Sequence, residues 1–169
     1  MAENTRNYHL NLQWTGNTGK GTASYLSYER AFELSAEDKS IIQGSADPTH
    51  RGDKAKYNPE EMLLAALSSS QMLWFLQLCA EKGITVLSYQ DSPIGVMQEE
   101  VQKETDNELL NVVPGRFRRV VLNPTVKLQS KADQQSAQLC QDLAAVRCPI
   151  SRSVNFMVEI IVTFEYASE

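Results

Sequence analysis

Asn58-Pro59-Glu60-Glu61-Met62-Leu63-Leu64-Ala65-Ala66-Leu67, running on through Ser68-Ser69-Ser70-Gln71 into Met72-Leu73-Trp74-Phe75-Leu76, is the stretch on which the reading of the fold turns. Asn58 is a good N-cap residue, and Pro59 suits the first helical position, where a missing N–H leaves nothing unsatisfied. Glu60 and Glu61 set negative charge at the positive end of the helix dipole, and Glu61 stands where a capping box needs an acid. The helix is predicted to continue until Gly83. It is apolar on nearly every side, so it should lie at the centre of the fold.

Upstream, residues 8–14 alternate Tyr8, Leu10, Leu12 and Trp14 with polar neighbours, the period of a strand with one buried face. Residues 16–21 read as a turn, residues 22–34 as β-prone chain, and Ile41-Ile42 as a short strand, together a meander. Residues 45–57, with Asp47-Pro48 and Arg51-Gly52-Asp53 and almost no apolar content, read as a loop. Downstream, residues 83–97 read as a hairpin interrupted at Asp91-Ser92-Pro93, and residues 98–111 as a charged surface segment. Residues 116–128 read as a strand broken near Asn123-Pro124. Residues 131–147 carry Leu139, Leu143 and Val146 at helical spacing, giving a second amphipathic helix. Cys148-Pro149 breaks it and opens a short helix with Cys148 at its N-cap, and residues 155–166 close the chain as a strand. The class is α/β of the α+β kind, in a single domain spanning residues 1–169.

The composition narrows the function. Of 169 residues, 42% are hydrophobic and 22% charged, which suits a globular core, and no uninterrupted apolar run has the length of a membrane span. The net charge of −5 lacks the basic excess that phosphate backbones attract, so neither nucleic acid nor a membrane is expected as a partner. Three cysteines, Cys79, Cys140 and Cys148, form no CxxC pair and no closed disulfide framework. The polar start MAENTRNYHL is unlike a signal peptide, and a reducing, cytoplasmic setting is expected. His9 and His50 have no metal-ligand spacing, so neither a metal nor a cofactor is expected.

The element order, with Arg51-Gly52-Asp53, the Asn58–Ser69 motif, Met72-Leu73 and Cys148-Pro149-Ile150-Ser151, resembles the OsmC/Ohr family of thiol peroxidases. The resemblance covers most of the chain. It implies an intertwined homodimer with antiparallel sheets around long central helices. It also implies reduction of small organic hydroperoxides by a peroxidatic cysteine on the first long helix, a resolving cysteine near the second, and an outside dithiol reductant. By that resemblance Glu60 is the motif glutamate, Cys148 the resolving cysteine, and Arg30 or Arg51 the arginine that polarises thiolate and peroxide. The peroxidatic position, ten residues after Glu60, is Ser70, and the family commonly carries Cys-His where this chain has Ser70-Gln71.

A serine hydroxyl has neither the acidity nor the polarisability of a thiol and cannot form a sulfenic acid, so peroxidase chemistry at position 70 should be weak, altered or lost. Cys79 should face elsewhere, since nine residues at about 100° each turn it roughly half a circle from Ser70. Cys148, capping a helix and flanked by Arg147 and Arg152, is the better thiol for any residual activity. Cys79 and Cys140 read as core thiols, and Met72, Trp74 and Phe75 as core packing. The alternative is a non-catalytic protein holding a small apolar ligand in an interhelical dimer pocket.

Overall fold

The capping box closes as the sequence predicts. Asn58 Oδ1 accepts from the Glu61 amide at 2.8 Å, and the Asn58 amide donates to Glu61 Oε2 at 3.0 Å. Helix α1 runs over Pro59–Glu81 and ends where Gly83 takes a φ of +72°, a left-handed conformation that glycine adopts without strain. The computed structural model describes residues 5–99 and 115–167. They form two compact units, Met1–Met62 and Leu63–Glu169, the division falling inside α1.

The N-terminal unit is an antiparallel meander of β1 (Asn11–Trp14), β2 (Phe32–Ser35) and β3 (Ile42–Gly44). Trp14 pairs with Phe32 and Leu12 with Leu34. The first strand is shorter than its alternation suggests, and the expected buried face (Tyr8, Leu10, Leu12, Trp14) is exposed, because nothing in this unit covers it. Residues 17–28 are turns rather than strand. Asn17 Oδ1 accepts from the amides of Gly19 and Gly21 at 2.9 and 3.0 Å and curls the chain back before β2 begins. The loop of residues 45–57 holds a 3-10 turn, Pro48–His50, capped by Asp47, whose Oδ1 accepts from the Thr49 amide and hydroxyl at 2.8 and 2.6 Å. These bonds hold the Asp47 carboxyl below the usual carboxylate range. Gly52 is required here, since a Cβ would sit 1.5 Å from the Ala46 carbonyl oxygen.

In the C-terminal unit three extended segments are each broken in the middle: β4 (Val86–Gln90) with β5 (Ile94–Glu99), β6 (Gly115–Leu122) with β7 (Thr125–Leu128), and β8 (Met157–Ile160) with β9 (Thr163–Tyr166). The halves sort into two sheets, β4-β7-β9 and β5-β6-β8. The expected hairpin of residues 83–97 therefore does not form, because β4 and β5 pair with different strands. The sheets are mixed rather than wholly antiparallel, since β8 and β9 join parallel to β6 and β7. Helix α2 (Gln134–Arg147) supplies the crossover that parallel pairing needs. Two of the breaks are tied together: Asp91 accepts from the Asn123 amide at 2.7 Å and from Ser68 Oγ of α1 at 2.5 Å. Of the charged segment 98–111, Gln98 and Glu99 end β5, and the rest lies outside the described residues.

Helix α1 buries a stripe of Leu67, Gln71, Phe75, Leu78 and Cys79, while Leu73 on another face is 62% exposed. An apolar surround is thus only half used within this chain. With a mean hydropathy of 1.4 the helix is long and apolar enough by length and composition to cross a membrane, although serines and Gln71 interrupt its apolar run. Its stripe packs into the core: Phe75, Leu78 and Cys79 meet Val126, Leu128, Ala137, Cys140 and Ala144. The core face of α2 differs from the predicted one. Ala137, Cys140, Gln141 and Ala144 point inward, whereas Leu139, Leu143 and Val146 are 55%, 40% and 71% exposed. Small side chains bring α2 close, and the larger apolar stripe is left on the outside.

Candidate functional site

Two of the predicted site residues meet. Ser70 Oγ on α1 lies 3.2 Å from Cys148 Sγ, which follows the last residue of α2. Cys148 is fully buried, its amide donates to the Ala144 carbonyl at 2.9 Å, and its own carbonyl accepts from the Arg152 amide at 3.2 Å. The sulfur also accepts from the Ser151 amide at 3.5 Å, but Cys148 is the C-cap of α2 and not the expected N-cap: the short 3-10 turn that follows, Ser151–Ser153, begins later and has Ile150 at its N-cap. Burial pushes the thiol up, but the Ser151 and Ser70 side chains and the amides of Ser151 and Ile150 outweigh it and hold Cys148 below its ordinary value. Ser151 Oγ is buried and makes no other hydrogen bond, so the Cys148 sulfur is the group it serves.

Cys79 has the opposite character. It is pushed up to about 12 by burial and by Cys140 beside it, the environment of inert core thiols. Phe75 is likewise wholly buried, with Met72 and Trp74 half-buried.

Glu60 and the arginines belong to the N-terminal unit, Ser70 and Cys148 to the C-terminal one. Glu60 is half-buried in the first turn of α1. The Arg30 guanidinium donates to the carbonyls of Tyr28 and Tyr25 at 2.6 and 2.8 Å and stacks on both their rings, at 4.1 and 4.2 Å. It lines a cavity of about 640 Å³ whose other walls are apolar: Leu12 and Trp14 of β1, Phe32 and Leu34 of β2, and Pro59 and Met62 of the first helical turn. Arg51 stands at φ +66° in the loop, 5.9 Å from the Tyr25 ring, and is not part of the cavity wall.

Sequence reasoning missed a buried amide pair beside Ser70. With its amide turned to satisfy its neighbours, Gln71 donates to the Ala144 carbonyl at 3.3 Å and accepts from Gln141 Nε2 at 3.0 Å and from the Ala145 amide at 3.2 Å. The available signal was a glutamine inside an otherwise apolar stripe, which needs partners wherever it is buried.

The model of OsmC-like proteins matches residues 52–163. The chain belongs to the OsmC-like family. An OsmC-like protein of unknown function from Vibrio cholerae is 26% identical, with a TM-score of 0.75 over 95% of this chain and 100% of that one. An organic hydroperoxide resistance protein from Elizabethkingia anophelis, with thiocyanate bound, is 13% identical, with a TM-score of 0.61 over 96% and 99% of the two chains. A further organic hydroperoxide resistance protein, from Legionella pneumophila, is 12% identical, with a TM-score of 0.60 over 95% and 99%. The search of curated proteins returned no match.

Proposed function

We propose that this OsmC-like protein is a stress-response relative of the thiol-dependent organic hydroperoxide reductases whose peroxidase activity is weak, altered or lost. It acts as a cytoplasmic homodimer. The observation that carries this reading is the 3.2 Å contact between Ser70 Oγ and Cys148 Sγ. A two-cysteine cycle needs sulfur in both places. A thiolate attacks a peroxide oxygen, the O–O bond breaks, and an alcohol leaves a sulfenic acid. A second thiol then attacks that sulfur, expelling water and forming a disulfide, which an outside dithiol reduces. The Ser70 oxygen undergoes neither step. Cys148 is the remaining acidified thiol and carries any residual activity, but its full burial keeps peroxide away until the site opens. In this reading Glu60 and Arg30 are what remains of the polarising groups, with Arg30 preferred to Arg51 because it lines the cavity.

The apolar cavity beside Arg30 favours a second reading, a non-catalytic protein that holds a small apolar ligand. The cavity lies between the meander and the first turn of α1 rather than between the long helices. Consumption of an organic hydroperoxide with excess dithiol, compared among wild type, Ser70→Cys and Cys148→Ser, separates the readings. Turnover by Ser70→Cys alone is the expected result. Turnover by wild type that Cys148→Ser abolishes would instead place a one-cysteine activity at Cys148. Inactivity of all three would move the weight to ligand binding.

A further inference from the structure

The Ala144 carbonyl does two jobs. It accepts the Cys148 amide at 2.9 Å, the bond that seats the cysteine at the end of α2, and it accepts the Gln71 side-chain amide at 3.3 Å. Gln71 is the chain neighbour of Ser70, and Ser70 is the group from α1 that touches the Cys148 sulfur. Gln71 is fully buried, and its three partners, at positions 141, 144 and 145, all lie on the last two turns of α2. One side chain on α1 thus grips the turn of α2 that carries the cysteine.

We infer that Gln71 is a positioning residue: by sharing the Ala144 carbonyl with the Cys148 amide, it fixes the register of α1 against α2 and holds Ser70 Oγ on Cys148 Sγ. The inference rests on reading Cys148 as the surviving thiol of the site. Its test measures that thiol's acidity and not turnover, so the two can fail separately. Among the described residues, the groups that hydrogen-bond the sulfur are Ser70 from α1 and Ser151 and Ile150 from the turn that follows, none of them charged. Burial raises this thiol and hydrogen bonds lower it, so the lowering depends on hydrogen bonds and is sensitive to register. A slip of about 1 Å between the helices takes the Ser70 hydroxyl, now 3.2 Å away, out of hydrogen-bond range of the sulfur.

The test uses the full-length protein and follows the ¹³Cβ resonance of Cys148 against pH, which reads the thiolate inside the folded site and is resolved from those of Cys79 and Cys140. Gln71→Met keeps the length and volume of the side chain and removes its hydrogen bonds. Gln71→Met/Gln141→Met also removes the partner that would otherwise be stranded, which restores most of the lost stability. In both, the midpoint of the Cys148 titration is expected to rise by about one pH unit, about a tenfold loss of thiolate below the midpoint. A purely structural role predicts a lowered Tm in the single variant, recovery in the double variant, and no movement of the midpoint in either, a result that overturns the inference. Should neither variant fold, the ¹⁵N-labelled wild type decides. The side-chain amide resonances of Gln71 are expected to titrate with the Cys148 midpoint, and a flat response across that pH range overturns the inference equally.

Discussion

Cys148 shows how a buried thiol becomes acidic without a cation. Its sequence neighbours Arg147 and Arg152 suggest a positive environment, yet both are exposed, and what lowers the thiol is a set of neutral donors, Ser151, Ser70 and the Ile150 amide, working against burial. This has a consequence for stability. A group whose ionisation is easier in the folded state stabilises that state in full above its unfolded value, near pH 8.5, and the contribution fades as pH falls through the folded value. Relative to Cys148→Ala, the wild type is therefore expected to gain Tm as pH rises from 7 to 9.5. A Tm difference that stays flat or narrows across that range would contradict the lowered thiol. Cys79 is common to both proteins, so its opposite shift cancels from the comparison.

At the scale of elements, local chemistry was legible and long-range pairing was not. Asn58, Pro59 and Glu61 write the start of α1 into four residues, and the cap forms as read. Asp91-Ser92-Pro93 and Asn123-Pro124 announce breaks in their strands, and the structure breaks there. What the breaks are for could not be read, because it depends on partners 23 and 32 residues away in the sequence. Asp91 bonds the Asn123 amide and the Ser68 hydroxyl, so one carboxylate ties two strand corners to α1. Its replacement by alanine leaves both donors wanting, and Asp91→Ala is expected to cost about 2–3 kcal/mol, read from urea unfolding at unchanged m-value. A loss below about 0.5 kcal/mol would show that water replaces the carboxylate there. The face of α2 was misread for a related reason. Leu139, Leu143 and Val146 carry the periodicity, but the periodicity marks only that a face is apolar, not what covers it, and the inward face is built from alanines, Cys140 and Gln141. Of the site, Ser70 and Cys148 were found through the family resemblance, whereas the Gln71–Gln141 contact needed the helix pairing itself.

At the scale of the whole molecule, the misread face of α2 bears on assembly. Three large aliphatic side chains at helical spacing on α2, with Leu73 outward on α1, form the kind of surface a monomer seldom leaves to water. The homodimer we propose gives these residues a cover, and it explains why α1 is apolar on faces that its own chain does not use. The side chains are exposed in the single chain, so charging them leaves its own core intact and changes intrinsic stability by no more than about 0.5 kcal/mol. In a dimer the same charges become buried and unpaired, a cost large enough to break the contact. Sedimentation equilibrium is therefore expected to give the wild type twice the chain mass of 19.0 kDa, and Leu139→Asp/Leu143→Asp the mass of one folded chain. If the wild type sediments as a single chain at tens of micromolar, the dimer is wrong and the exposed stripe needs another occupant. If the double variant stays dimeric, the dimer contact lies elsewhere, with the outward face of α1 around Leu73 the next surface to charge.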